Sequence, residues 1–317
     1  MNTSIGHEIG RIGVMMGGTS SEREISLKSG KAVSAALKEA GCDVCPLDLS
    51  LQDKESILHV LEENRIDLVF IALHGHFGED GTLQEILDEA GIPYTGSGAE
   101  ASRLAMHKDL AQPFLKAQGL RVPEFQIISK EEKEQDVALH GKMSFPLVVK
   151  PAAEGSSLGI TIAQNRDEFQ QALKTASRYG GTILLEEFIP GREITAGILG
   201  DEALPLVEIR PSQPFFDFTA KYQKGMTDYI VPAQIPKEKT ALIQATAREA
   251  FRLLGCRDFG RIDFIMTSQG EVVFLEANTI PGFTETSLLP MAAREKGYSF
   301  PDLCRRIALS AGQRKQT

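Results

Sequence analysis

Two short runs near the C-terminus, Phe-Gly-Arg-Ile-Asp-Phe at 259–264 and Leu-Glu-Ala-Asn at 275–278, bring an arginine, two carboxylates and an amide into neighbouring strand-like segments. Side chains alternate faces along a strand, so Arg261 and Asp263 share one face and Glu276 and Asn278 share another. A two-residue turn at Gln269-Gly270 pairs Ser268 with Glu271, and counting outward sets Asp263 opposite Glu276 on a common face. Carboxylate and amide oxygens converging in this way suit a hard cation such as magnesium, which takes oxygen ligands in octahedral geometry. The same residues also describe an edge hairpin with a solvated polar face and one Arg–carboxylate pair. The strands alone do not choose between the two.

Lys150 ends an apolar strand at 145–150 and is followed by Pro151 and a Gly/Ser-rich loop at 154–159. Successive backbone N–H groups at Gly155, Ser156 and Ser157 can fold over phosphate oxygens, with a lysine as point charge. An ordinary hairpin loop with a snorkelling lysine reads the same way. Glu186, Glu187 and Ile189 close a buried strand, and Glu193 follows. Acids in that position are either solvated or accept hydrogen bonds from an adenine amine and ribose hydroxyls. Glu22 follows Ser20 and Ser21, and Ser21-x-x-Glu24 is a capping box. An acid in a first helical turn is favoured by about 0.3–1 kcal/mol from the dipole alone. His74 and His76 flank Gly75 in a strand-end loop and are candidates for ligand contact.

Several motif matches fail on context. Residues 155–159 fit G-x-S-x-G, but that nucleophile elbow must run into a helix, and Ile160-Thr161-Ile162 favours a strand. Residues 96–101 fit G-x-G-x-x-A, yet not at the first strand-to-helix turn and with no acidic residue about 20 positions on. No G-x-x-x-x-G-K-[ST] occurs. Cys42 and Cys45 form a C-x-x-C after a helix stopped by Gly41, with no second pair to complete a zinc set.

The elements that must position these residues alternate cleanly at first. Strands at 12–16, 44–47 and 68–73 are followed by helices at 22–40, 55–63 and 83–90. This spacing predicts a parallel sheet with right-handed crossovers and ligands beyond its C-terminal strand ends, at the loops 17–22 and 74–82. A helix spans 100–119, and the charged run 130–136 starts another. A smaller α+β unit follows, with strands at 145–150, 160–163 and 183–187 and a helix at 168–177. Strands at 193–199 and 206–209, a long polar-aromatic stretch at 211–231, a helix at 241–254 and the hairpin complete the chain.

The chain has 317 residues, with 42% hydrophobic and 24% charged residues and a mean hydropathy of −0.13, as in a soluble globular protein of about two or three domains. Its net charge of −9 argues against a nucleic-acid partner, which needs a basic footprint. No apolar run approaches a membrane span, and the N-terminal residues lack a secretion pattern, so a cytoplasmic location is expected.

Taken in order, the segments at 17–30, 70–84, 93–98, 148–159, 259–264 and 275–293 resemble the D-alanine–D-alanine ligase family of the ATP-grasp superfamily. The resemblance implies a three-domain α/β and α+β ATP-grasp fold with an N-terminal doubly wound parallel-sheet domain at 1–103. A central subdomain would occupy 104–189, and a C-terminal subdomain with metal site and lid 190–317. It implies ATP-dependent joining of two D-alanines through a D-alanyl phosphate, releasing ADP and phosphate for peptidoglycan synthesis and cell wall biogenesis, in a homodimer with no nucleic-acid or membrane partner.

Residue by residue, the resemblance implies that Asp263, Glu276 and Asn278 bind two Mg2+ (or Mn2+) bridging the ATP phosphates. Lys108, Lys150 and Ser157 would contact phosphate. Glu186, the backbone of Glu187 and Ile189, and Glu193 would form the nucleoside pocket. Glu22, in a network with Ser156 and Tyr222, would receive the first D-alanine's ammonium, with His74 nearby. Arg261 and the Gly282 N–H would hold the oxyanion, and Ser287 with Lys221 the second substrate's carboxylate. The stretch 211–231 would be the lid. Several relatives read Thr-Ser-Pro-Gly-Met-Thr-x-His-Ser where this chain has Thr-Ile-Pro-Gly-Phe-Thr-Glu-Thr-Ser at 279–287, so Ser287 is kept while Glu285-Thr286 departs. Relatives that make the D-lactate ester lack Tyr222, and its presence favours amide formation. Other readings of the same residues are an ATP-grasp ligase for different substrates, an idle ATP-binding module and, more remotely, a dinucleotide oxidoreductase.

Overall fold

A computed structural model describes residues 9–50, 52–129, 137–141, 143–211 and 227–314. The N-terminal strands β1 (Ile12–Gly17), β2 (Val44–Leu49) and β3 (Leu68–Ile71) form a parallel sheet ordered β2-β1-β3, as the alternation predicts. β1 is buried along its whole length because helices cover both faces. Ile12, Val14 and Met16 pack with α1 (Arg23–Glu39) and the C-terminal helix α9 (Phe300–Gln313). Met15 faces the other way, toward α2 (Lys54–Glu63) and α3 (Thr82–Glu89). Gly30 makes the first packing possible, since a Cβ there would lie 2.4 Å from Met16. The chain therefore closes on itself: its last helix supplies core to its first sheet.

The predicted capping box at Ser21 does not form. Glu22 itself occupies the N-cap with no side-chain cap bond, and its N–H donates to Ser20 Oγ at 3.2 Å. The predicted helix at 100–119 is two helices, α4 (Ala99–Met106) and α5 (Lys108–Ala117), broken at His107, whose backbone is extended (φ −85°, ψ 91°). The break frees the Lys108 N–H to donate to Ala152 O at 2.9 Å, which ties α5 to the loop after Lys150.

A second sheet, ordered β4-β7-β5-β6, is antiparallel. It contains β4 (Phe125–Ile128), β5 (Leu147–Pro151), β6 (Thr161–Ala163) and β7 (Ile183–Glu187), with α6 (Arg166–Ser177) packed against it. The strand β6 follows the Gly/Ser loop, as the rejection of a nucleophile elbow requires. A third, larger sheet contains β8 (Gly191–Leu199), β9 (Glu202–Ala203), β10 (Val207–Pro211), β11 (Thr227–Ile230), β12 (Phe259–Thr267) and β13 (Val272–Asn278). Its main path is β11-β10-β8-β12-β13, with β9 beside β8. Helix α7 (Lys237–Leu253) and α5 cover one face, while α8 (Leu288–Glu295) joins the N-terminal core.

The hairpin β12–β13 corrects one expectation while keeping its consequence. The turn has three central residues: Thr267 N donates to Glu271 O at 2.9 Å, and Gly270 takes φ +78°. That shifts the register by one, pairing Phe264 with Phe274. A bulge between Asp263 and Phe264 then shifts it back, so Asp263 faces Glu276 and Arg261 faces Asn278. Two departures from the simple hairpin cancel at the residues that matter.

Candidate active site

Loops after β1, β3 and β5 contact one another, and Lys108 links the last of them to Glu276 on β13. The C-terminal ends of β1 and β3 are stitched to α1 by Ser26, whose Oγ accepts from Gly17 N at 2.8 Å and donates to Ala72 O at 2.7 Å. That places Glu22, buried at 7% exposure, against the Gly/Ser loop, where the Ser156 hydroxyl donates to Glu22 Oε1. Ser156 and Ser157 both take positive φ (50° and 59°), the left-handed backbone uncommon for residues other than glycine.

Asp263 is 3% exposed and accepts four hydrogen bonds. Arg261 donates twice, from Nε at 2.9 Å and Nη2 at 2.8 Å; Thr195 Oγ1 donates at 2.5 Å and Asn278 Nδ2 at 3.0 Å. Burial opposes the guanidinium charge, but Asp263, Glu276 and Glu193 outweigh it and hold the Arg261 pKa above its ordinary value. Glu276 pairs with Lys108 Nζ at 3.3 Å, and that same Nζ donates to Glu154 O at 2.9 Å. Each carboxylate of the pair is thus held by a protein cation.

Among the described residues, no three His, Cys, Asp or Glu side chains are grouped to hold a metal. The set here is two carboxylates and an amide, facing one way from adjacent strands. It fits a divalent cation shared with phosphate oxygens rather than one caged by protein alone.

Lys150 and Glu186 form a buried ion pair at 2.6 Å, with side chains 8% and 3% exposed. Gln112 Nε2 also donates to Glu186 Oε1, at 2.5 Å. Glu186 therefore orients Lys150 within the protein. Glu187 Oε1 accepts from Glu124 N at 3.0 Å, joining β7 to the segment before β4. Glu193 and Ile189 lie at the start of β8 and just before it, on the sheet that carries Asp263.

His74 is buried, with Nε2 2.9 Å from Ser29 Oγ and Nδ1 3.0 Å from Ile280 O. Burial lowers its pKa, but Glu79 at 3.7 Å and Glu22 outweigh that and raise it. His76 joins the N-terminal loop to the central one through Glu154 at 3.0 Å, with Asp80 at 3.7 Å. Asp80 and Glu154 together push its pKa up to about 10. Gly282 sits between buried Pro281 and Phe283, and its N–H has no partner among the described residues. Ser287 Oγ accepts from Thr284 N at 3.0 Å and lies 2.9 Å from Thr284 Oγ1.

Direct contacts join Glu22 to Ser156, Lys108 to Glu276, and Asp263 to Arg261 and Asn278, while strand register sets Asp263 opposite Glu276. Lys221 and Tyr222 lie outside the described residues, as does most of the expected lid; its ends form β10 and β11. Sequence reasoning passed over Ser29, Gln112, Glu154 and Thr195. A signal existed for Thr195, which shares a strand face with Glu193 and pairs with Asp263.

Comparisons with known proteins place the whole chain beside one family. A family model for the D-ala D-ala ligase C-terminus matches residues 114–308, and one for the N-terminus matches 50–97. A D-alanine–D-alanine ligase from Geotalea uraniireducens is 45% identical over 95% of this chain and 95% of its own. One from Desulforudis audaxviator is 43% identical over 96% and 99%. The D-alanine–D-alanine ligase from Bacillus anthracis, solved with ATP, superposes with a TM-score of 0.83 at 31% identity, covering 96% of this chain and 97% of its own. The VanG D-Ala:D-Ser ligase from Enterococcus faecalis gives 0.77 at 31% identity over 94% and 98%.

Proposed function

The chain belongs to the D-alanine–D-alanine ligase family, and on that premise we propose that it joins two D-alanines to D-alanyl-D-alanine at the expense of ATP, supplying a precursor of peptidoglycan. The fold is the ATP-grasp fold expected from the sequence, built on three sheets. The first D-alanine's carboxylate attacks the γ-phosphoryl group to give an acyl phosphate and ADP. The second D-alanine's neutral amine adds to the acyl carbon, and the tetrahedral adduct loses one N–H proton to solvent and expels phosphate to leave the amide.

The observation that supports this reading best is the pairing of Asp263 with Glu276 beside Arg261 and Lys108. Asp263, Glu276 and Asn278 would hold two Mg2+ or Mn2+ ions with the ATP phosphates, neutralising phosphoryl charge. Lys108, Lys150 and the 155–157 backbone would grip the phosphates, with Glu186 keeping Lys150 in place. The backbone of Glu187 and Ile189, with Glu193, would take the nucleoside. Glu22, held by Ser156 and assisted by Tyr222, would receive the first ammonium. Arg261 and the Gly282 N–H would stabilise the oxyanion, a type of donor whose loss costs on the order of 10²–10³ in rate. Ser287 and Lys221 would take the second carboxylate. Loop closure would exclude water from a hydrolysable intermediate. No helix among the described residues is long and apolar enough to cross a membrane, and we propose a cytoplasmic homodimer.

The test is a coupled assay with ATP and magnesium in which phosphate and dipeptide are counted together over D-alanine, D-serine, D-lactate and L-alanine. Phosphate released in step with D-alanyl-D-alanine supports the reading. Phosphate without dipeptide, or a requirement for another amino acid, overturns it.

A further inference from the structure

The turn that carries Gly282 is held at both ends by one side-chain relay from the N-terminal domain. His74 Nδ1 donates to the carbonyl of Ile280 at 3.0 Å, because a carbonyl can only accept. Phe283 N donates to Ser29 Oγ at 3.1 Å, and Ser29 Oγ lies 2.9 Å from His74 Nε2. The relay thus runs from the backbone at 283, through Ser29 and His74, back to the backbone at 280. Ser29 and His74 are both buried, at 1% and 4% exposure. Between these fixed ends sits Gly282, half-buried, its N–H without a partner among the described residues. A third anchor backs the turn: the Phe283 ring packs edge-on to Phe259 (5.4 Å) and Phe70 (5.9 Å).

We propose that Ser29 is a positioning residue for amide formation: with His74 it clamps residues 280 and 283 and so aims the Gly282 N–H at the developing oxyanion. This rests on the proposed oxyanion role of Gly282. Ser29 touches no reacting atom. Its effect comes from fixing a donor in advance, the condition under which such donors act. Both ends of the relay survive a change in His74 protonation, since Nδ1 keeps its proton and Ser29 Oγ keeps accepting from Phe283 N.

The experiment compares Ser29→Ala with Ser34→Ala. Ser34 is buried on the same helix, with a hydroxyl that has no partner among the described residues, so its variant controls for deletion of a buried hydroxyl. Ser29→Ala should lower kcat about tenfold with the KM for ATP within twofold of wild type. It should weaken a tetrahedral phosphinate analogue of the intermediate by the same factor, as expected when a loss falls on the transition state. Ser34→Ala should leave all three within twofold. Adding His74→Ala to Ser29→Ala should cost less than the sum of the two single changes, because the two side chains share one bond of the relay. Should Ser29→Ala fail to fold by circular dichroism, Ser29→Cys, nearly isosteric but a weak hydrogen-bonder, should show the same pattern to a smaller degree. A Ser29 variant matching Ser34→Ala in kcat and analogue affinity, or losing ATP affinity in parallel with kcat, overturns the proposal. Absence of dipeptide from the wild-type protein overturns the functional reading, and this proposal with it; dipeptide from wild type with undiminished Ser29→Ala overturns the proposal alone.

Discussion

Asp263→Asn keeps the shape of a buried side chain and removes its charge. Of the four groups donating to Asp263, Arg261 Nε and Thr195 Oγ1 meet Oδ1, and an asparagine carbonyl can still serve both. Arg261 Nη2 and Asn278 Nδ2 meet Oδ2, where the variant presents its own N–H groups. Asn278 can flip to offer its carbonyl, but a guanidinium has nothing to offer except donors. The variant therefore loses one charge-assisted bond and strands an arginine side chain that is only 13% exposed. Breaking a buried ion pair costs about 3–5 kcal/mol. Glu276 remains near Arg261, which points to the lower end, about 3 kcal/mol. For a chain of 317 residues that is a drop in Tm of roughly 4–5 °C. The chain has no tryptophan, so far-UV circular dichroism is the suitable probe. Ligase activity should fall by on the order of 10² or more, because the oxygen proposed to ligate a nucleotide-bound cation becomes neutral. A Tm within 2 °C of wild type together with activity within tenfold would refute the reasoning.

Glu186→Gln should raise the KM for ATP on the order of tenfold with a smaller change in kcat, because Lys150 loses the buried carboxylate that aims it; an unchanged KM in initial-rate assays would remove Glu186 from that role. Phe283→Ala should destabilise the protein by about 3–5 kcal/mol by leaving a cavity among Phe70, Phe259 and Phe300, read as a loss of Tm. His76, raised from 6.5 to about 10, should contribute a small stabilisation that is complete below about pH 6.5 and lost as pH climbs through about 10. Because its side chain is 53% exposed, solvent screening keeps that term below about 1 kcal/mol, and the gap in Tm between wild type and His76→Asn should close at high pH. Tyr222→Phe should increase the rate with D-lactate relative to D-alanine as acceptor, measured by competition; an unchanged ratio would exclude Tyr222 from acceptor choice.

What the sequence made legible was whatever local periodicity encodes. The alternation of strand and helix announced the parallel sheet, and strand parity put Asp263 and Glu276 on one face. The helix break at His107 escaped because its cause is distant: the Lys108 N–H is drawn to Ala152, a partner no local pattern marks. Ser21-x-x-Glu24 has the residues of a capping box, but the helix starts one residue later, with Glu22 as its N-cap. Ser29 and Gln112 read as unremarkable polar positions on helices, since their partners lie far along the chain at Phe283 and Glu186. The pairing of Asp263 with Glu276 emerged from counting across a turn that is one residue longer than assumed, and the bulge restored it.

The central claim is that this site activates a carboxylate by phosphorylating it. D-alanine labelled with 18O in its carboxylate tests that directly. If the amine displaces phosphate from an acyl phosphate, one labelled oxygen leaves with each phosphate released, and mass spectrometry of the phosphate should find it. Dipeptide formed alongside unlabelled phosphate would contradict the account.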